Sequence, residues 1–145
     1  MKLDGIKVLD LSLFLPGPTL TQLMADQGAD VIKLEPTGDG EPNRYIGQKR
    51  DDVSVYFANT HRGKRSLQLN LKHASGRELA HRLITEVDVV IEAFRPGVAS
   101  RLGMSYEDVA PLNQGLVYAS LSAFGQSGPY VNKPAHDLAT EAYAG

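Results

Sequence analysis

The chain has 145 residues, of which 42% are hydrophobic and 22% charged, the balance of an ordinary soluble globular domain rather than a disordered one. Fifteen Lys and Arg stand against seventeen Asp and Glu, so the net charge of −2 supplies no global field for nucleic acid or an anionic membrane, and neither is expected as a partner. Without cysteine there is no disulfide or thiolate chemistry, and "MKLDGIK" lacks the apolar stretch of a signal peptide, so a cytoplasmic protein is expected.

Short β-rich runs alternate with helical ones, as in βαβ units, so the expected fold class is α/β: a Rossmann-like, mainly parallel sheet with flanking helices. "IKVLDLS" (Ile6 to Ser12) predicts the first strand. "TLTQLMADQG" predicts a helix with Leu20, Leu23 and Met24 as one apolar stripe and Gly28 as its C-terminal cap. "ADVIKLEP" is the second strand, stopped by Pro36. From Thr37 to Asn59 the periodicity is lost apart from a short "VSVYFA" element, and a loop of that length is usually functional or reaches a partner. "SLQLNL" (Ser66 to Leu71) alternates as a half-buried strand should, and "SGRELAHRLITEV" puts Leu79, Leu83, Ile84 and Val87 on one helical face. "VDVVIEAF" is apolar enough for a strand covered on both sides. "RPGVASRLG" predicts a short helix with Pro96 in its first turn and Gly103 past its end; "SYEDVAPLN" adds a turn or two behind a Ser105–Asp108 capping box. "LVYASLSAF" is the last strand, and "GQSGPYVNKPAH" is a loop before a closing helix.

Open α/β sheets bind ligands at their strand carboxyl ends, where helix amino ends also converge. A dinucleotide fold would show G-x-G-x-x-G after the first strand, but "FLPGPTLTQ" stands there, and Pro16 and Pro18 cannot donate backbone N–H groups to a pyrophosphate. Glu35 could still mimic the acidic partner of a ribose. "NTHRGKRS" gathers His61, Arg62, Lys64 and Arg65 around Gly63, which reads either as a phosphate clamp or as a solvated turn. "EAFRPGVASRLG" sets Phe94, Arg95 and Arg101 where a strand meets a helix, a set that suits adenine stacking with phosphate pairing, or else a core Phe with surface arginines. His136 is a candidate general base, and Asp137 either orients it, acts itself or caps the closing helix. The four histidines, His61, His73, His81 and His136, fall at no metal-binding spacing, and no metal is expected.

Together the blocks "GIKVLDLS…PGP…TQLMADQGADVIKLEPTGDGE", "ANTHRGKRSLQLNLK", "DVVIEAFRPGVASRLG" and "SAFGQSGPYVNKPAHDLATEAYAG" resemble, in order and spacing, the family III CoA-transferases. That group includes formyl-CoA transferase, the carnitine CoA-transferases and the α-methylacyl-CoA racemases. The resemblance implies that residues 1–145 are a CoA-binding Rossmann-like N-terminal domain, with the remainder of the family fold absent and the full-length form an interlocked homodimer. It implies coenzyme A contacts from the backbone of Leu13, Phe14, Leu15 and Pro16, and from Leu69, Lys72, Phe94, Arg101 and Lys133, to which Arg95 is added from its own cluster. The adenine-side arginine of formyl-CoA transferase meets Pro36 here, which departs from the family pattern.

Family transferases move CoA between an acyl-CoA and a carboxylic acid through an aspartyl anhydride and an enzyme-CoA thioester. The nucleophilic aspartate falls beyond Gly145 in the family pattern, and Asp137 is not its equivalent, so the chain alone is expected to be inactive. The racemases instead exchange the proton α to the thioester carbonyl, and His136 matches their histidine base. A CoA-binding or assembly module without catalysis is the third expectation.

Overall fold

The computed structural model describes residues 1–145. In chain order the elements are β1 (Lys7–Asp10), α1 (Pro16–Asp26), β2 (Asp30–Glu35), a 3-10 turn (Pro42–Arg44), β3 (Lys49–Arg50), β4 (Val53–Ser54), α2 (Val55–His61), β5 (Lys64–Gln68), α3 (Ala74–Ile84), β6 (Val89–Glu92), α4 (Val98–Arg101), α5 (Tyr106–Val109), a second 3-10 turn (Ala110–Leu112), β7 (Val117–Ser120) and α6 (Asp137–Ala144). Five strands form one parallel sheet in the order β5-β2-β1-β6-β7, while β3 and β4 make a separate antiparallel hairpin. The expected α/β class with a parallel sheet is therefore what the chain adopts. The strand order reverses at β1, so a crevice opens at the carboxyl ends of β1 and β6, where such sheets place their ligands. No helix is long and apolar enough to cross a membrane.

Alternation along each strand gives the sheet two unlike faces. Leu9, Leu11, Leu34 and Val90 lie on one face and are closed over by Ala80 and Ile84 of α3 with Met104 and Val109, which makes the main core. Val8, Val31 and Ile91 lie on the other and pack with Leu20 and Met24 of α1. Between Val8 and the carboxyl edge, that second face turns polar.

Asp10 is wholly buried there, with Lys33 Nζ 3.2 Å from Oδ1 and Lys64 Nζ 3.2 Å from Oδ2. The Ser12 N–H donates to Oδ1 at 2.9 Å, and the Ser12 and Thr21 hydroxyls donate as well. Burial works against the charge of Asp10, yet the two ammonium groups and two hydroxyls outweigh it and hold the carboxyl below its ordinary range. Lys33 and Lys64 also donate to the carbonyls of Ser12 and Pro18. One carboxylate thus ties together β1, β2, β5 and α1.

Several element details differ from the sequence expectation, each for a packing reason. In α1 the buried residues are Gly17, Pro18, Thr21 and Gln22, while Leu23 is 55% exposed. The helix approaches the β1 end so closely that a Cβ at Gly17 would lie 2.1 Å from Ser12 Cβ, so small and polar residues take the inner face. In α3 the inner line is Gly76, Ala80 and Ile84, and Leu79 is exposed. A Cβ at Gly76 would lie 2.2 Å from the Asn70 carbonyl oxygen, which seats the helix under the loop after β5. "VSVYFA" divides after Ser54, whose hydroxyl donates to the Ile46 carbonyl and accepts from the Phe57 N–H, starting α2 where continued strand had an equal claim. Asp137 is the first helical residue of α6, and His136 occupies the cap position without a side-chain bond, so Asp137 is not the cap.

The phosphate-clamp reading of "NTHRGKRS" fails because its charges are already neutralised. Arg62 pairs with Asp26 at 2.6 Å, Arg65 with Asp30 at 2.6 Å and Lys64 with Asp10. His61 is buried and stacked on Phe57 at 4.2 Å between ring centroids. Its Nδ1 faces the Thr60 hydroxyl at 2.8 Å, and its Nε2 lies 3.9 Å from the buried Glu41 without a hydrogen bond. The segment also opens β5 at the amino edge of the sheet, away from the strand carboxyl ends.

Asp10→Asn leaves two buried ammonium groups facing a neutral amide and is expected to cost about 3–5 kcal/mol, read from the urea midpoint. Acid sensitivity is expected at His61, whose pKa burial, with Lys64 and Lys33 nearby, lowers to about 4. The unfolded chain therefore takes up a proton at His61 below about pH 6.5 that the native state refuses, so this contribution is present above that value and is lost toward pH 4. Between pH 7 and pH 5 it amounts to about 2 kcal/mol, and His61→Gln should remove that part of the slope in urea titrations at the two pH values.

Candidate functional site

A surface groove of about 360 Å³ lies on the main-core face at the strand carboxyl ends. Its floor is Leu11, Leu34, Leu71 and Leu102; Leu13, Leu69, Lys72 and Phe94 stand along its sides, and Pro36 and Thr37 close one end. The structure thus brings four of the residues expected at a CoA site, Leu13, Leu69, Lys72 and Phe94, into one concavity. The strand ends place them: Leu69 follows β5, bonded through its N–H to the Glu35 carbonyl at 3.0 Å, and Phe94 follows β6.

A smaller hollow of about 120 Å³ adjoins the groove, lined by Phe94, Arg95, Leu121, Phe124, Val131 and Lys133 among others. Phe94 belongs to both and forms the wall between them. Lys133 does not point freely into this hollow. Its ammonium sits over the rings of Tyr130 and Tyr143 at 5.0 and 4.5 Å and bonds to the Tyr143 hydroxyl, tying α6 to the loop after β7. His136 follows Ala135, a lining residue, and is exposed with its imidazole free of hydrogen bonds.

Other expected contacts fall outside these two concavities. Phe14 and Leu15 are exposed in the loop between β1 and α1, Pro16 is exposed at the first position of α1, and the three line neither one; Arg101 is exposed on α4, beside the lining residue Leu102 in sequence. Phe14 adopts a left-handed backbone (φ 64°), held by its N–H donating to Glu41 Oε1 at 2.9 Å and its carbonyl accepting from Asn43. Helix α1 cannot offer a pyrophosphate nest: Pro16 and Pro18 have no N–H, and the Thr19 N–H is bonded to the Leu15 carbonyl. Glu35 is unavailable to a ribose. Arg44 grips it through two bonds of 2.7 Å, and the Ser66 hydroxyl and Glu41 N–H complete its shell. Burial opposes this carboxylate's charge, but Arg44 and Ser66 lead the donors that lower its pKa to about 2.

The electrostatic contrast between the two faces is the informative part. Lys33, Arg44, Arg62, Lys64 and Arg65 all have carboxylate partners, whereas Lys72, Arg95 and Arg101 have none within ion-pair distance. An apolar groove with an aromatic wall and the uncompensated Lys72 in its lining, with the uncompensated Arg95 in the adjoining hollow, suits a ligand with an apolar or heteroaromatic body and dispersed anionic groups. Sequence reasoning missed Asp10, Lys33 and Glu92. The available signal was charge within largely apolar strands: Asp10 in "KVLD", Lys33 in "VIKLE" and Glu92 in "VVIE".

The chain is 44% identical to an acetyl-CoA:oxalate CoA-transferase of Acetobacter aceti, over 98% of this chain and 36% of that protein. It is 41% identical to a succinyl-CoA–D-citramalate CoA-transferase of Chloroflexus aurantiacus, over 99% of this chain and 36% of that protein. The chain thus spans about a third of the length of the curated relatives it matches. Among solved structures, a CAIB/BAIF family protein from Brucella suis superposes with a TM-score of 0.91 at 37% identity, covering 97% of this chain and 38% of that one. The hypothetical protein Rv3272 of Mycobacterium tuberculosis also gives 0.91, at 40% identity, covering 99% and 40%. Residues 3–145 match the description of CoA-transferase family III, and the chain belongs to that family.

Proposed function

We propose that this chain forms the coenzyme A-binding part of a CoA-transferase active site, holding an acyl-CoA while its CoA passes to a carboxylic acid. The observation that carries this reading is the groove itself, apolar along its floor and walled by Phe94, with Lys72 in its lining, Arg95 in the adjoining hollow and Arg101 next in sequence to the lining residue Leu102, three cations with no carboxylate of the chain within ion-pair distance. Phe94 would stack on the adenine, and the free cations would take the phosphates as charge-assisted partners. Relatives named acetyl-CoA:oxalate, succinyl-CoA–D-citramalate and formyl-CoA:oxalate CoA-transferase support the same reaction class.

Anhydride chemistry needs a carboxylate nucleophile beside the thioester carbonyl, and oxyanion donors to steady the tetrahedral intermediate. The acids at the strand ends do not suit that role. Asp10 and Glu35 are buried in ion pairs, and Glu92 is buried beneath the turn after β6. We therefore assign the nucleophilic aspartate to sequence outside residues 1–145, with a homodimer as the full-length assembly, and expect these residues alone to bind without turnover.

A second reading, exchange of the proton α to the thioester, rests on His136. Its unbonded, exposed imidazole follows directly on a lining residue, where a general base could reach a thioester. Incubating a 2-methylacyl-CoA in deuterium oxide separates the two chemistries: racemisation introduces deuterium at the α-carbon, and CoA transfer does not. A third, non-catalytic reading predicts CoA affinity with neither outcome in any longer form of the chain.

Calorimetric titration tests the binding assignment. CoA is expected to bind about tenfold more tightly than dephospho-CoA, the scale of one charge-assisted hydrogen bond, and a Lys72→Ala, Arg101→Ala double variant should close that gap. Equal affinity for the two ligands in the unmodified chain would refute the cationic fringe as a phosphate site.

A further inference from the structure

Glu92 ends β6 with only 3% of its surface exposed, and no Lys, Arg or His lies within ion-pair distance of it. The other two buried carboxylates at strand ends, Asp10 and Glu35, each have a cation. A buried carboxylate without a counter-charge is costly unless its oxygens are hydrogen-bonded, so the bonds that Glu92 does make are its reason for being there. Oε2 accepts the Phe94 N–H at 2.7 Å, and Oε1 accepts the Ser120 hydroxyl. The Ser120 oxygen in turn accepts Gln126 Nε2 at 2.6 Å, and the Leu121 N–H donates to the Glu92 carbonyl at 2.9 Å.

These bonds form one continuous relay from the loop after β7, through β7, to the turn that leaves β6. Phe94 stands at its end as the shared wall of the groove and the adjoining hollow, and Leu121 and Phe124 line that hollow from the loop's side. We propose that Glu92 is a positioning residue: with Ser120 and Gln126 it fixes the placement of Phe94 relative to the loop after β7. A CoA held in the groove and a thioester end in the hollow would then be set in register by one hydrogen-bonded unit. The inference rests on the proposed CoA reading of the groove, and adds to it a role for three residues that touch no ligand themselves.

Glu92→Ala strips the Phe94 N–H of its acceptor inside the fold and risks unfolding, so the decisive substitutions lie further along the relay. Ser120 and Gln126 are both exposed. Ser120→Ala and Gln126→Ala are each expected to weaken CoA about fivefold in calorimetry, the size of one net hydrogen bond; the urea midpoint should be little changed in Gln126→Ala and lowered in Ser120→Ala, which leaves Glu92 Oε1 without its donor. Hydrogen exchange at the Phe94 amide should quicken in both, and Ser120→Thr, which keeps the hydroxyl, should retain wild-type affinity. A double-mutant cycle separates positioning from general loosening: in a Phe94→Leu background, Ser120→Ala should have no further effect on CoA. Wild-type chain that fails to bind CoA would overturn the reading of the groove and the positioning role with it. Wild-type binding with unchanged affinity in the Ser120 and Gln126 variants, or with effects that simply add to that of Phe94→Leu, would overturn the positioning role alone.

Discussion

The fold turns on a single buried carboxylate. Asp10 sits at the carboxyl end of the central strand and receives one lysine from β2, one from β5, a hydroxyl from α1 and two donors from the loop that follows it. Such a cluster adds little net stability against an apolar replacement, because desolvating three charges offsets much of their attraction. Its value lies in register. Asp10 is paired with Lys33, and Lys33 with Ser66, across three parallel strands. A slip of one residue would carry Lys33 to the leucine-lined face, so the charged positions exclude the neighbouring alignments more strongly than apolar residues would.

The ion pairs lie on the α1 face or along the amino edge, away from the groove. Arg44, Arg62, Lys64 and Arg65 are all held near α1 and α2 or along the amino edge, each by an acid of its own. By contrast Lys72 in the groove, Arg95 in the adjoining hollow and Arg101 on α4 keep their charge uncompensated. A net charge of −2 therefore coexists with a locally cationic rim. Global charge argues only against non-specific polyanion binding, and leaves open a site for a small anion built from a few unpaired side chains.

Much of this was legible in the sequence where local signals and tertiary demands agree. The Ser105–Asp108 capping box forms as read, β2 ends at Glu35 before Pro36, and the alternation of strands and helices gives the parallel sheet. Helix faces were read less well, because periodicity counts large apolar residues while close packing selects small ones. Gly17 and Gly76 lie at the closest approaches, and Leu23 and Leu79 are turned outward as a result. At the site, Leu13, Leu69, Lys72 and Phe94 were found through family resemblance, and local chemistry alone singled out only Phe94 among them. The charge state of "THRGKRS" could not be read at all. Its partners, Asp10, Asp26 and Asp30, are remote in sequence and become neighbours only through the sheet and α1.

The strand order also sets a schedule for the nascent chain. β1 pairs with β2 on one side once the chain through Glu35 is made, and Lys64 completes the Asp10 cluster when β5 arrives. Its other side waits for β6, more than eighty residues further along, whose Val89 and Val90 must find Val8 and Leu9. During that interval the half-sheet β5-β2-β1 has its electrostatic seam in place but one unpaired central edge, and its leucine-lined face is uncovered until α3 and α5 follow. Long-range closure of this kind is slow, and apolar surface stays exposed for as long as the gap between β1 and β6 is unclosed.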